Sequence, residues 1–396
     1  MNLKRIKGDI IWLTFYIFLG FLSACGGSNN GSSNVTLHPM KEKIPHHESN
    51  HIAISSQDKF DDLKNSPHYL VSFQKYINYP SSIASKKLEA KVGSQSSLYV
   101  ESIDDRLIIL DGDQQILIEY DLETDITTVI AKFGHGPGDI AYPQDMIRRD
   151  KSVYIGMQDM RISKFDCSSK PCSHSSTIKL NRFSPYSIDY IDSTYIALGS
   201  VPVTGSESEA GKIAYNPVSL FNFKGKKIGS FGKTYETNGQ WMLLRPFTEG
   251  KIRYNRVIES YLLVYQRLPY LYVYNSDLNL TDIFYFRDFV LGKQKYWSEI
   301  GKLNIVKEDH SLLKNIHFVE NNLVLIEIET RSNMSKSSTS FIWDRKMDYY
   351  IIDLSLKKGY LLGRIDLTDE SSFESLYLTK SGLLAYDSGS LYWNQF

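Results

Sequence analysis

The chain is short of cysteine and of tryptophan, and neither sign of charge is in excess. Its 396 residues hold three cysteines and five tryptophans, and 45 basic side chains balance 45 acidic ones. Each shortage excludes something. A nucleic-acid partner requires a basic footprint, and the formal charge of −2 from Cys25 onward supplies none. Cys167 and Cys172 could form half of a metal site, but no second pair exists to complete it. The apolar run from Ile10 to Leu22 is too short, and too closely followed by glycine and serine, to span a bilayer. No Ser-His-Asp order or carboxylate pair suggests catalysis, and His135, His174, His310 and His317 are scattered.

What the chain does have is repetition. Six nine-residue segments can be stacked in one column, beginning at Asp105, Lys151, Ser193, Ser260, Asn321 and Ser381. Each opens on a polar or small pair, continues as a short apolar run and usually exits on a polar residue. A second extended stretch precedes each one: YVESID, DMIRRD, SIDYID, NRVIES, IHFVEN and SLYLTK. A strand–turn–strand unit recurring at intervals of 42 to 67 residues is the pattern of a propeller. The 27 tyrosines and 19 phenylalanines suit pleated, half-buried surfaces. Length alone would allow two domains, yet the repeat spacing leaves no gap for a second.

Four strands per unit can be traced, except in the last, where the chain ends one strand short. A bare edge there would be a liability. The expectation is therefore an all-β, six-bladed β-propeller over residues 67–396. Its ring would be closed by an N-terminal strand drawn from LVSFQKYI or KLEAKV, between Tyr69 and Val92.

The first 25 residues set the location. Lys4, Arg5 and Lys7 precede the apolar run, and Leu22-Ser23-Ala24-Cys25 follows it, which reads as a secretory signal over residues 1–24. Cys25 in that setting resembles the acylated cysteine of a bacterial lipobox. The resemblance implies anchoring by several acyl chains, and Gly26 after it implies the outer membrane of a Gram-negative envelope. Residues 25–66 read as a flexible tether, with GGSNNGSSN at its start and His46, His47 and His51 as solvated side chains. In an exported, oxidising compartment Cys167 and Cys172, which bracket Ser-Ser-Lys-Pro in an expected hairpin turn, read as a disulfide.

Gly134, Gly136, Pro137, Gly138 and Asp139, followed by Pro143 and DMIRRDKSVYI, resemble the signature of NHL-type repeats. They resemble more closely the GxGPGE variant of exported TolB-like six-bladed propellers, many of them lipoproteins. Only the first two units carry the signature well. The same glycines could suggest a phosphate loop, but such a loop opens a helix, whereas this one leads to Pro143 and a strand. A tight inter-blade crossover using glycine's positive φ is the preferred reading.

Long connections are expected between second and third strands at 201–216 and 329–346, and between blades at 134–144, 233–251 and 288–314. In a four-stranded meander these open on one face. They carry Trp241, Arg245, Tyr296, Trp297, Trp343 and Arg345, of the residue types enriched at binding hot spots. The expected function is a lipid-anchored envelope module that binds a peptide, a glycan or another envelope protein through that face, with no cofactor. The alternative is a metal-dependent lactonase- or lyase-like enzyme in the central channel. It would use the polar strand exits Asp111, Glu327 and Asp387, with Gln266 a further polar exit and Met157 and Gly199 breaking the pattern.

Overall fold

The computed structural model describes residues 36–37, 51–57, 68–78, 86–90, 92–93, 98–181, 183–199, 216–232, 249–291, 294–295, 309–320, 322–336, 341–367, 375–387 and 390–395. Cys25 lies outside them. Thr36–Leu37 pairs with Gln294–Lys295 in a small separate antiparallel ladder.

The other described residues belong to a six-bladed propeller. Blade 1 consists of Leu98–Ile103, Arg106–Asp111, Ile116–Asp121 and Thr127–Ala131. Blade 2 runs Pro143–Arg149, Ser152–Met157, Arg161–Asp166 and Ser173–Lys179. In blade 3 the strands are Pro185–Ile191, Thr194–Gly199, Val218–Phe221 and Lys227–Phe231. Blade 4 has Gly250–Asn255, Ser260–Tyr265, Tyr270–Tyr274 and Leu280–Phe286. Blade 5 has His310–Glu320, Leu323–Lys336, Phe341–Asp353 and Lys358–Asp366. Blade 6 takes Ser375–Leu378, Gly382–Asp387 and Ser390–Gln395 from the C-terminus, and its fourth strand is Lys86–Leu88, paired antiparallel with Leu391–Trp393. The KLEAKV segment thus closes the ring.

Strand periodicity explains the packing. Successive side chains of a strand point to opposite faces, so a blade buried on both sides must be apolar on both. In blade 1, Ile108 and Leu110 pack toward blade 2, whereas Leu107 and Ile109 pack toward blade 6. Each of the six hydrophobic clusters lies between neighbouring blades. The tyrosines concentrate between blades 3 and 4, where Tyr254, Tyr261, Tyr265, Tyr270, Tyr272 and Tyr274 are all buried. Turns between first and second strands use residues that tolerate positive φ, among them Asp104 at 52°, Asp150 at 54° and Asp192 at 41°.

The N-terminal segment contributes more than a closing strand. LVSFQKYI, one of the two stretches expected to close the ring, is part of a helix, α1, over His68–Asn78. Leu70, Phe73 and Ile77 fall at helical rather than strand spacing and are buried against blades 5 and 6. Phe73 meets Tyr349 edge-on at 4.9 Å. Gly363 leaves room for Ile77, since a Cβ there would lie 2.4 Å from its side chain. His51–Ile54, within the segment read as a tether, adds a fifth strand to blade 4, parallel to Leu280–Phe286. Its Ile54 is fully buried between blades 4 and 5.

Cys167 and Cys172 form a disulfide across the turn between the third and fourth strands of blade 2. Closing so short a loop contributes roughly 2 kcal/mol in the chain-entropy account. Blade 1 grips the same turn. Buried Arg106 donates from Nη2 to the Cys167 carbonyl at 2.6 Å and from Nη1 to that of Ser169 at 3.0 Å. Glu119 Oε2 accepts from the Cys172 amide at 2.8 Å.

A candidate binding site in the central channel

From blade 6 through blade 1 to blade 5, the first strands of successive blades contact one another and wall a central channel. Two cavities occupy it, of about 350 Å³ and 530 Å³. The larger opens where the first strands begin, near Leu98, Gln144, Tyr186 and Gly250. The smaller reaches the opposite end, at Asp150, Arg256 and Lys380. Tyr99, Lys251, Asn315 and Glu327 border both.

Charged residues on the first strands, and on the second strand of blade 5, furnish the wall. Asp145 of blade 2 accepts from Lys251 Nζ at 2.6 Å and from Arg253 Nη1 at 3.0 Å, both on blade 4. Ser187 and the Ile188 amide of blade 3 donate to it at 2.7 and 3.0 Å. Burial alone would raise the Asp145 pKa. The charges and hydrogen bonds of Arg253 and Lys251 outweigh that and hold it far below the usual carboxylate range. Glu329 of blade 5 is likewise buried and held low, with Lys314 at 3.3 Å and with Arg331 and Arg345 each donating from Nε at 2.8 Å. Glu327 Oε1 lies 2.9 Å from His317 Nε2.

The larger cavity has a different lining. Gln144, Gln158, Gln266 and Asn315 bring four side-chain amides to it, beside Tyr186 and Glu249. Arg345 also reaches it, already committed to Glu329. Amides and a phenol give donors and acceptors without net charge, the chemistry that suits uncharged polar ligands.

Of the residues singled out for binding, Trp241, Arg245, Tyr296 and Trp297 lie outside the described residues. Trp343 and Arg345 are not on a loop. They sit on Phe341–Asp353, which with Leu323–Lys336 forms a long hairpin in blade 5. The expected connection at 329–346 is strand for most of its length, with Thr330, Arg331 and Ser332 paired to Lys346, Arg345 and Asp344. Trp343 packs edge-on against His310 with ring centroids 5.1 Å apart.

The structure does not gather the alternative metal ligands. Asp111 is fully buried and lines neither cavity. Its Oδ1 accepts from the amides of Asp113 at 3.0 Å and Gln114 at 2.9 Å, and its Oδ2 from that of Gly93. It ties down the turn that follows its strand. Glu327 faces the channel, and the side chain of Asp387 lies outside the described residues. Among the described residues Asp105, Asp121 and Glu123 form the only group close enough to share an ion. Lys170 Nζ already sits 2.9 Å from both Asp105 and Asp121.

The glycine-rich segment is a crossover from blade 1 to blade 2. Asp139 Oδ2 accepts from the Gly136 amide at 2.8 Å, and Arg161 donates to the carbonyls of Gly136 and Gly134 at 3.0 and 3.1 Å. Gly138 has φ of 82°. A Cβ at Gly134 would lie 2.3 Å from the Asp139 carboxylate, so Gly134 is required by its own loop. Pro143 begins the first strand of blade 2.

Reading strand exits as the chemical positions missed Glu101, Asp145, Arg148, Asp189, Lys251 and Arg253. Their signal was charge in the interior of first strands such as LYVESI and GKIRYN.

No protein-family model and no curated protein matches the chain. Solved structures do resemble it. A member of the DUF4221 family from Bacteroides vulgatus superposes with a TM-score of 0.51 at 9% identity, over 80% of this chain and 97% of that one. A protein described as exported, from Bacteroides fragilis, gives 0.51 at 10% identity, over 87% and 99%. At such identities the likeness is one of fold.

Proposed function

We propose that the protein is an exported, lipid-anchored binding module of the cell envelope. It takes an uncharged polar segment of a peptide, a glycan or an envelope protein at the wide mouth of its channel. The observation that carries this reading is the 530 Å³ cavity ringed by Gln144, Gln158, Gln266 and Asn315. The charges beside it are engaged within the protein, as Lys314, Arg331 and Arg345 all are with Glu329. Such a mouth selects by hydrogen-bond pattern more than by charge. The long hairpin of blade 5 offers Arg345 to the same cavity, which suits an extended ligand. The leader and Cys25 support lipid anchoring, and the likeness to an exported Bacteroides propeller agrees with that location.

Neutral oligosaccharides and uncharged peptides, titrated against the full chain by calorimetry, test the reading. Gln158→Ala and Gln266→Ala should each weaken a bound member of the panel by about fivefold or more, as hot-spot residues do, with the melting temperature unchanged. A ligand that binds both variants as tightly as wild type would place recognition elsewhere. Detergent-phase partitioning of Cys25→Ala tests the anchor, and a variant that stays membrane-bound would overturn it.

The enzyme reading keeps one supporting observation, the Glu327–His317 pair in the channel. A chelator-reversible rise in melting temperature with a divalent cation would favour it over the binding reading.

A further inference from the structure

The narrower cavity holds a mismatch that the rest of the channel does not. Its charged side chains are paired almost throughout: Arg149 with Asp189, Lys251 and Arg253 with Asp145, His317 with Glu327, and Arg256 with Asp150 at 3.7 Å. Apart from exposed Lys380 at its outer end, two groups are left over. Arg148 is the one guanidinium of this cavity without a carboxylate partner among the described residues. Its Nε donates to the Asp150 carbonyl at 2.9 Å and its Nη1 to the Ser102 carbonyl, while Nη2 has no described partner. Glu101 is the one carboxyl of the cavity without an ion pair among the described residues. The two stand on the first strands of adjacent blades, both half-buried, and do not pair with each other.

We propose that Arg148 and Glu101 form a binding site for a small ligand bearing a single carboxylate group. The ligand's carboxylate accepts from Nη2 of Arg148, and Glu101 donates to the same group when it holds a proton. Counting charges favours an anion. Arg148, Arg149, Lys251, Arg253, Arg256 and Lys380 line the cavity against Glu101, Asp145, Asp150, Asp189 and Glu327, one cation more than carboxyls. Planar guanidinium geometry matches a carboxylate better than a spherical ion. The 350 Å³ volume is that of a small-molecule site.

The environment of Glu101 agrees. Burial raises its pKa above the ordinary 4.5, and the opposing pull of Arg253, Arg148, His317 and the Arg148 backbone amide does not reverse this. Burial thus shifts Glu101 toward its neutral form relative to a free carboxyl, and an anion bound beside it strengthens the hold on that proton. Affinity should accordingly fall as pH rises through the Glu101 pKa. This site is separate from the wide mouth, and its success or failure is independent of the reading given above.

The test titrates the full chain by calorimetry with acetate, glucuronate, inorganic phosphate and methylammonium, between about pH 5 and 8. Acetate or glucuronate should bind, more tightly at the acid end. The two acids distinguish a short free carboxylate from an acidic sugar. Arg148→Gln should weaken binding by about tenfold or more, since a charge-assisted pair is lost. Arg148→Lys keeps the charge without the fork and should be intermediate, which provides a second variant should the first fail to fold. Glu101→Gln, which imitates the protonated carboxyl, should retain binding and flatten its pH dependence. Methylammonium binding in place of the acids would overturn the proposal, as would tighter binding of phosphate. Failure of both acids to bind, or an Arg148→Gln protein that binds them like wild type, would overturn it equally.

Discussion

Arg149 and Asp189 form a two-bond fork between neighbouring blades, with Nε 2.8 Å from Oδ1 and Nη2 bonded to Oδ2. The Tyr254 amide donates to Asp189 Oδ2 at 2.6 Å, and Arg149 Nη2 donates to the Tyr254 carbonyl at 2.9 Å. One carboxylate thus ties blades 2, 3 and 4 together at the channel wall. Asp145 makes the same three-blade connection one turn of the strand pleat away, through Ser187 and Lys251. A propeller is held otherwise by apolar contact between blades, which sets distance but not register. The paired charges add direction.

Replacing Asp189 by Asn should expose how much that fork contributes. The Asp189 side chain is fully buried and Arg149 is 16% exposed, so the guanidinium would keep little water to offset its lost partner. Leaving one member of a buried pair unmatched costs about 3 kcal/mol. Urea denaturation should show a loss of that size in Asp189→Asn. Adding Arg149→Met should recover part of it, because the unmatched charge is gone. A single-variant loss under about 0.5 kcal/mol would mean that solvent screens the pair as it does on a surface.

Stability should fall on the acid side. Asp145 and Glu329 have pKa values held well below their ordinary 3.8 and 4.5, each by cations that outweigh its burial. A carboxylate depressed in the folded state contributes stability above its unfolded pKa, and the contribution is lost as pH falls through the folded value. Glu101 acts in the opposite sense. Its raised pKa contributes stability below 4.5, which is lost as pH rises through the folded value. Asp105, Asp121, Asp125, Asp166 and Asp353, nearer the surface, are lowered as well, so the depressed carboxyls outnumber raised Glu101 and the unfolding midpoint should drop steadily below about pH 4.5. In Asp145→Asn the drop should be shallower. Denaturation curves at a series of pH values check this, and an unchanged acid slope in the variant would remove Asp145 from the account.

Much of the architecture was legible because a propeller blade writes its strands locally. The doubled apolar runs, the tight turns at Asp104-Asp105 and Asp150-Lys151 and the truncated last unit all follow from neighbours in sequence. Two things were harder to read. Leu70, Phe73 and Ile77 are too few to distinguish a short helix from a strand until their partners Tyr349 and Gly363 are known. His51–Ile54 is a four-residue edge strand whose only support is its pairing with Leu280–Phe286. The site was less legible still. Glu101, the Asp145 and Arg148 pair of positions, and Lys251 stand on three first strands far apart in sequence and converge only because those strands face the same axis. The strand-exit aspartate Asp111 looked chemical and is a turn device, since a carboxylate at a strand end can satisfy the amides that follow it as readily as it can hold a cation.

The N-terminal segment should prove to be part of the folded ring and not an appendage to it. Three of its elements touch the blades. Ile54 is buried between blades 4 and 5, Phe73 is buried under α1 against blades 5 and 6, and Lys86–Leu88 completes blade 6. Their removal should therefore act in graded fashion. Ile54→Ala should cost about 2–4 kcal/mol and Phe73→Ala about 3–5 kcal/mol, the range for truncating a fully buried side chain. Deleting residues 1–88 should do more, because Leu391 and Trp393 would then lie on an open edge with their ladder unpaired. That protein should lose its single cooperative transition and aggregate. Thermal and urea melts of the three proteins read the series directly. A truncated chain that melts in one transition near the wild-type midpoint would show that blade 6 closes without its N-terminal strand.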